Sequence, residues 1–265
     1  MHTKPFNPLL SGFGRIIDGI KINSINKEVR HGSEVWVKRR LPGRGMIIQC
    51  ANFFFRVVRN PVRVWSRLED WRDWEVLSFQ SLNGDKYQAF AEGERSICAE
   101  RIPGVTLSDH LEHGTITLEM YEAAAHELRH AHTLWCKEFD GPWSHGDSHL
   151  ANMIYDETSG RVRMIDFDLI HETYLSPDER HADDLLIFLQ DMVGRIPVEQ
   201  WLTAALCFLD AYGHPVVIHI LKQRLDVPRG VELLWWIVRA NYLRPTALRR
   251  RINALRVHIP DLSLE

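Results

Sequence analysis

The chain carries the run SHGDSHLANMIY at residues 144–155 and the run MIDFD at residues 164–168. Asp147 and Asn152 lie five positions apart on what we expect to be one loop, and Asp166 follows soon after them. Carboxylate and amide oxygens that meet at one point suit a magnesium ion and the phosphates that the ion binds. Residues 144–168 therefore predict a site for phosphoryl transfer.

The residues between these polar positions have the pattern of a β-hairpin. Residues 153–155 and 162–165 are short apolar runs, and the polar, glycine-containing residues 156–160 lie between them as a turn. Two paired strands would hold the preceding loop rigid and would bring Asp166 back towards it. A lone His-Gly-Asp is a weak signal because these residues are common in turns, so the prediction depends on the order of all these features.

On these residues the chain resembles the protein-kinase-like superfamily. His-Gly-Asp at residues 145–147 takes the place of the His-Arg-Asp motif of protein kinases. Ile-Asp-Phe-Asp at residues 165–168 takes the place of their Asp-Phe-Gly motif. These replacements make it similar to aminoglycoside phosphotransferases and lipopolysaccharide-core sugar kinases rather than to eukaryotic-type protein kinases. The resemblance implies a two-lobed α+β fold, with a small, mainly β lobe over residues 1–102 and a larger, mainly helical lobe over residues 103–265.

The resemblance also implies a role for each polar residue around the catalytic loop. Asp147 would be the catalytic residue that orients the attacking hydroxyl group, and Asn152 and Asp166 would hold Mg²⁺ at the phosphates of ATP. His145 and Asp168 would support them. The reaction implied is transfer of the γ-phosphoryl group of ATP to a hydroxyl group.

The nucleotide-binding residues are expected in the first lobe. Lys38 ends an alternating run typical of a half-buried strand, and the resemblance makes it the lysine that contacts the phosphates. Glu75, in a helix predicted over residues 68–82, would pair with Lys38, and Glu69 in the same helix is its rival. Residues 88–102 are predicted to form two strands, of which residues 99–102 would be the hinge that receives adenine.

Two further segments leave alternatives open. The glycines at positions 12 and 14 fit either a phosphate-covering loop or an ordinary turn, since the full Gly-x-Gly-x-x-Gly pattern is absent. His126-Glu-x-x-His130, in a helix predicted over residues 117–137, matches a zinc motif that still needs a third ligand, and packing under the active site is the alternative.

The rest of the second lobe is predicted to be helical after an irregular start. Residues 169–179 look irregular and polar, and a helix is expected from His181, where Asp183 or Asp184 would cap the helix or brace the catalytic loop. Residues 197–265 are expected to be helices separated by glycines and prolines.

Composition limits the classes of function. No run approaches 18 apolar residues, the first residues lack the apolar core of a secretion signal, and the four cysteines form no Cys-x-x-Cys pair. A formal net charge of −3 gives no general reason to expect a nucleic-acid partner. We therefore expect a cytoplasmic protein.

Two segments rich in basic residues bear on the acceptor. The aromatic and basic residues 50–67 and the arginines at positions 249–251 fit either peripheral contact with an anionic membrane or helices with a solvated basic face. Together with the resemblance, they favour a sugar of lipopolysaccharide or a related glycolipid as acceptor. The alternatives are a small-molecule or protein Ser/Thr acceptor and a nucleotide-binding pseudokinase that acts as a binding module.

Overall fold

A computed structural model describes residues 22–30 and 32–261 of the chain. The strands are β1 (Asn23–Arg30), β2 (Ser33–Arg40), β3 (Val62–Val64), β4 (Ala89–Glu92), β5 (Ser96–Glu100), β6 (Val105–Thr106), β7 (Trp135–Cys136), β8 (Gly141–Pro142), β9 (Met153–Asp156), β10 (Arg161–Met164) and β11 (Leu169–His171). The helices are α1 (Gly45–Val57), α2 (Leu68–Asn83), α3 (Leu107–Glu112), α4 (Leu118–Ala131), α5 (Pro177–Arg195), α6 (Val198–Tyr212), α7 (Pro215–Arg224), α8 (Val231–Arg239) and α9 (Pro245–His258).

The small lobe is built on an antiparallel sheet with the strand order β1-β2-β5-β4. The alternation in β2 buries Val35 and Val37 against Cys98 of β5. Helix α2 turns Trp74 and Phe79 inwards, as its 3.6-residue period requires. Lys38 on β2 and the buried face of α2 are thereby brought to the same side of the sheet.

The larger lobe is mainly helical and is organised around α5. Ala182, Leu185 and Leu189 of this helix are fully buried, and Phe188 stacks on Phe208 of α6 with ring centroids 4.2 Å apart. Gly194 lets α5 approach the end of α8 closely, because a Cβ atom at this position would lie 2.0 Å from a backbone oxygen. The helical core is therefore a rigid base for the loop that precedes β9.

The structure confirms a two-lobed α+β fold, with an antiparallel sheet in the small lobe and mainly helices in the larger lobe. The predicted hairpin is also present, because β9 and β10 pair antiparallel from Asp156↔Arg161 to Met153↔Met164. Strands β4 and β5 form the second predicted pair. The boundary at residue 102 stays a prediction; β5 ends at Glu100 and β6 begins at Val105.

Three element predictions are wrong. Residues 169–171 are not irregular but form β11, which pairs with β3, a strand far away in the sequence. Helix α5 begins at Pro177 rather than near His181, because Ser176 and Glu179 form a capping box at its start. Helix α4 ends at Ala131, so the predicted helix over residues 117–137 is too long.

No helix in residues 22–30 and 32–261 is long and apolar enough to cross a membrane. The glycines at positions 12 and 14 lie outside the described residues.

Candidate active site

Lys38 lies in a cage of three carboxylates at the junction of the lobes. Its Nζ donates to Glu75 on α2, lies 2.6 Å from Asp166 Oδ1, and lies 3.0 Å from Asp168 Oδ1. Although burial opposes the charged form, the three carboxylates hold the pKa of Lys38 well above its ordinary value. Glu75 rather than Glu69 occupies the pairing position, since Glu69 is exposed on the first turn of α2.

Asp168 is bound from four sides by protein donors. Asn23 Nδ2 is 2.6 Å and Trp71 Nε1 is 2.7 Å from the carboxylate, and Arg40 lies 3.6 Å away in addition to Lys38. Burial would raise the pKa of Asp168, but Lys38 and Arg40 outweigh it and lower this pKa. Asp168 therefore connects β1, β2 and α2 and has little capacity left for a metal ion.

Glu75, Asp166 and Asp168 nevertheless have the spacing of a metal site. Their oxygens lie within 4.8 Å of one another, but the ammonium group of Lys38 contacts all three and already supplies a cation. Burial raises the pKa of Asp166, and Lys38 offsets part of this effect. Asp166 also has a φ of +64°, a conformation that non-glycine residues rarely adopt outside functional or strained sites.

Asp184, a buried carboxylate on α5, holds the first part of the loop that precedes β9. Asp184 accepts from the backbone N–H of His145 and of Gly146, each at 2.8 Å, and its backbone oxygen accepts from Ser148 Oγ at 2.6 Å. His132 Nε2 lies 3.0 Å from the same side chain. Burial alone would raise the pKa of Asp184, but neighbouring histidines keep it well below its ordinary value. The structure thus confirms the predicted bracing by this residue.

Asp184→Asn is expected to destabilise the fold by about 3 kcal/mol, because the amide keeps one acceptor and turns a donor towards a buried backbone N–H. Urea unfolding followed by circular dichroism measures this loss. Asp210→Asn, on the exposed end of α6, serves as the control and should change stability by less than about 0.5 kcal/mol. Equal stabilities of the two variants would contradict the bracing role.

The loop places Asp147 beside Asn152. Asn152 Nδ2 donates to the backbone oxygen of Asp147 at 2.9 Å and lies 3.4 Å from Asp147 Oδ2. Gly146 adopts a φ of +80°, which glycine tolerates without strain. The ring of His145 is fully buried between Trp143 and Phe167, so this histidine packs beneath the loop.

Sequence reasoning missed His149, which lies next to Asp147. Its Nε2 is 3.5 Å from Asp147 Oδ2. Burial lowers the pKa of His149, but the Asp147 carboxylate outweighs burial and raises this pKa to about 9. The available signal was a second histidine inside the same polar loop. The raised pKa favours the charged ring, whereas the hydrogen bond that Nδ1 accepts from the backbone N–H of Ala151 at 3.2 Å requires this nitrogen to be unprotonated.

An apolar cavity of about 240 Å³ lies between the sheet and the β9–β10 hairpin. Ile25 and Trp36 line it on the sheet side, and Ile154 lines it on the hairpin side. Lys38 and Asp166 also line the cavity, so its charged part is the carboxylate cage.

The zinc motif on α4 does not form a metal site. His126 and His130 are exposed, whereas Glu127 is buried and pairs with Arg161 at 3.1 Å. Among the described residues, neither histidine belongs to a group of three potential ligands. Glu127 therefore fixes α4 against β10.

No family model matches the chain, and no curated protein matches it in sequence. Solved structures that resemble it include a Plasmodium vivax ethanolamine kinase, with 8% identity, 97% of this chain and 81% of that chain covered, and a TM-score of 0.49. Rv3197 from Mycobacterium tuberculosis, in complex with erythromycin, has 16% identity, coverages of 91% and 75%, and a TM-score of 0.41. An aminoglycoside-3'-phosphotransferase of type VIII has 14% identity, coverages of 89% and 99%, and a TM-score of 0.39.

Proposed function

We propose that the protein transfers the γ-phosphoryl group of ATP to a hydroxyl group and uses Mg²⁺. The observation that carries this proposal is the contact of Lys38 and Glu75, from the small lobe, with Asp166. Asp166 follows the β9–β10 hairpin, and the loop that leads into this hairpin holds Asp147 beside Asn152. Phosphoryl transfer depends on positioning and charge neutralisation, and this cluster offers both.

The oxygens left over in the cluster fit a magnesium ion. The amide nitrogen of Asn152 donates to Asp147, so Oδ1 of Asn152 remains available as a ligand. Oδ1 of Asp166 accepts from Lys38, so Oδ2 of Asp166 remains available. Both are the hard oxygen ligands that Mg²⁺ prefers. Bound Mg²⁺ would neutralise charge on the ATP phosphates. Asp168 is not proposed as a ligand because four protein groups already bind it.

Different residues of the chain would bind the nucleotide and the acceptor. Lys38, held by Glu75, contacts the phosphates, while the apolar cavity and the backbone of residues 99–102 receive adenine. Asp147 orients the acceptor hydroxyl and takes its proton. A protonated His149 places a positive charge next to Asp147, where negative charge on the transferred group needs compensation.

The rate of transfer is expected to fall as pH rises through about 9. The folded-state pKa of His149 is raised to about 9, so the charged ring is favoured at neutral pH and is lost above that value. A pH–rate profile measures this loss. His149→Gln should lower the rate roughly tenfold at neutral pH and remove the falling limb. A variant that keeps the same limb would contradict the role of this charge.

We propose a sugar of lipopolysaccharide or a related glycolipid as the acceptor, reached at the cytoplasmic face of a membrane. Residues 41–60 contain three arginines and no acidic residue, and Phe54 of α1 packs on Trp235 of α8 with ring centroids 5.9 Å apart. Exposed apolar side chains on the two helices are Met46, Phe53, Val57, Val231 and Leu234. An apolar and basic surface of this kind supports peripheral binding to an anionic bilayer.

Phe53→Asp is expected to weaken binding to vesicles of anionic phospholipid roughly thirtyfold, because a buried phenyl ring contributes about 2 kcal/mol. Co-sedimentation with anionic and with zwitterionic vesicles measures the effect. Trp135→Asp is the matched control, since Trp135 is 66% exposed and Phe53 is 68% exposed, but Trp135 lies on β7. Binding that is equal for both vesicle types, or equally weakened by both substitutions, would contradict this orientation.

Mass spectrometry of a glycolipid extract tests the acceptor. Incubation with the protein, ATP and Mg²⁺ should add the mass of one phosphate to a component of the extract. Asp147→Asn should leave the extract unchanged. An extract that also stays unchanged with the native protein, while a soluble alcohol is phosphorylated, would overturn the glycolipid acceptor and retain the kinase. Binding of ATP without any transfer would favour the pseudokinase.

A further inference from the structure

A second cavity of about 310 Å³ lies between the end of α1, helix α5 and helix α8. Asn60, Asp183, Gln190, Trp235 and Arg239 are among the residues that line it. It is separate from the apolar cavity beside Lys38, because the two share no lining residue. Its walls are polar as well as aromatic, which suits a ligand rich in oxygen atoms.

Four buried polar atoms of residues that line this cavity have no hydrogen-bond partner within residues 22–30 and 32–261. Three are donors, namely Asn60 Nδ2, Trp235 Nε1 and Arg239 Nη2, and the fourth is the acceptor Gln190 Oε1. A buried polar atom without a partner costs free energy, so such groups are normally satisfied by protein, water or a ligand. Three donors against one acceptor favour a ligand that brings oxygen acceptors.

The residues that line the cavity include three arginines and three carboxylates, so the pairing of each arginine decides which positive charge is free. Arg59 pairs with Glu232 at 3.2 Å and Arg224 lies 3.6 Å from Asp183. Arg239, by contrast, lies over the ring of Trp235 at 4.9 Å, and no described carboxylate is within ion-pair distance of it. A guanidinium group on an aromatic ring with a free Nη2 is well suited to a carboxylate or a phosphate.

The cavity adjoins the catalytic loop. Asp183, in its wall, lies 3.2 Å from His171, whose other ring nitrogen is 2.9 Å from Ser144 Oγ at the start of that loop. A molecule in the cavity would therefore lie beside residues that support the start of this loop.

We propose that this cavity binds an oxyanion, a carboxylate or a phosphate monoester, that the acceptor carries near its reactive hydroxyl group, and that Arg239 selects it. The inference rests on the proposed kinase function and narrows its acceptor to an acidic or phosphorylated sugar. It disfavours cationic acceptors, because Arg239 would repel them.

Calorimetric titrations of the full chain with four sugars test the inference. The sugars are glucuronate, glucose 6-phosphate, glucose and glucosamine, each added with and without a non-hydrolysable ATP analogue and Mg²⁺. At least one of the two anions should bind roughly tenfold or more tightly than glucose and glucosamine. The anion that binds more tightly distinguishes a carboxylate acceptor from a phosphorylated one. The inference would be overturned if glucose or glucosamine had an affinity as high as that of both anions. It would also be overturned if neither anion showed saturable binding.

Arg239→Met should abolish the preference for the anions, and Arg239→Lys should retain most of it. Arg256→Met, which removes the same charge from an exposed position on α9, should leave the preference unchanged. Loss of preference in both Met variants, or in neither, would overturn the assignment to Arg239. Binding of the ATP analogue is measured separately and tests the proposed kinase function. If the analogue binds and the anions do not, the inference fails alone, whereas absent binding of the analogue contradicts the proposed function itself.

Discussion

Asp147→Asn is expected to lower the rate of phosphoryl transfer by about 10²- to 10⁴-fold while MgATP still binds, because the amide cannot accept the proton of the acceptor hydroxyl. The substitution keeps the size of the side chain, and the hydrogen bond from Asn152 to the backbone oxygen of residue 147 does not depend on the carboxylate. The loss should therefore appear in kcat. Steady-state kinetics with ADP release as the signal measure it.

Asp210→Asn removes one carboxylate from an exposed position on α6 and should leave kcat unchanged. A catalytic role of Asp147 would be contradicted if Asp147→Asn kept the rate within about threefold of the native protein, since loss of a general base costs far more. Circular dichroism spectra of both variants establish that the comparison is between folded proteins.

Lys38→Met is expected to destabilise the fold by about 3 kcal/mol at neutral pH, because it leaves one buried and two partly buried carboxylates without their shared cation. Without that cation, burial and mutual repulsion raise the pKa values of Glu75, Asp166 and Asp168 in the folded state. The loss of stability is therefore complete above these raised values and becomes smaller as the pH falls through them. Urea unfolding at about pH 8 and about pH 5 measures both effects.

Lys222→Met is the matched control for this substitution. Lys222 pairs with Asp261, which is exposed, so its removal should cost less than about 1 kcal/mol at either pH. A loss for Lys38→Met that is no larger than the control, or that does not become smaller at the lower pH, would show that the ammonium does not neutralise the cage.

The parts of the site that are close together in the sequence were predictable. The catalytic loop and its hairpin lie within residues 144–168, where turn residues and short apolar runs specify their own geometry. Glu75 was placed on the correct helix because α2 has a regular apolar period. The geometry brings Lys38, Glu75 and Asp166 together, while the catalytic roles of these residues, and of Asp147 and Asn152, stay predictions.

The contacts that join distant segments were not predictable. Strand β11 pairs with β3, which lies in the other half of the chain, and no local pattern in residues 169–171 predicts this pairing. The same holds for Asp168, whose donors Asn23 and Trp71 come from β1 and α2. The start of α5 at Pro177 is a different case, because the capping box of Ser176 and Glu179 is a local sequence pattern that predicts it.

Isothermal titration of ATP in the presence and absence of Mg²⁺, with native protein and with Asp166→Asn, tests the central claim that the cleft beside Lys38 binds MgATP. We predict saturable binding of MgATP to the native protein, and affinity at least about tenfold lower without Mg²⁺ or with Asp166→Asn. The claim would be contradicted by native protein that binds no MgATP, or that binds ATP equally well without the metal and with the substituted residue.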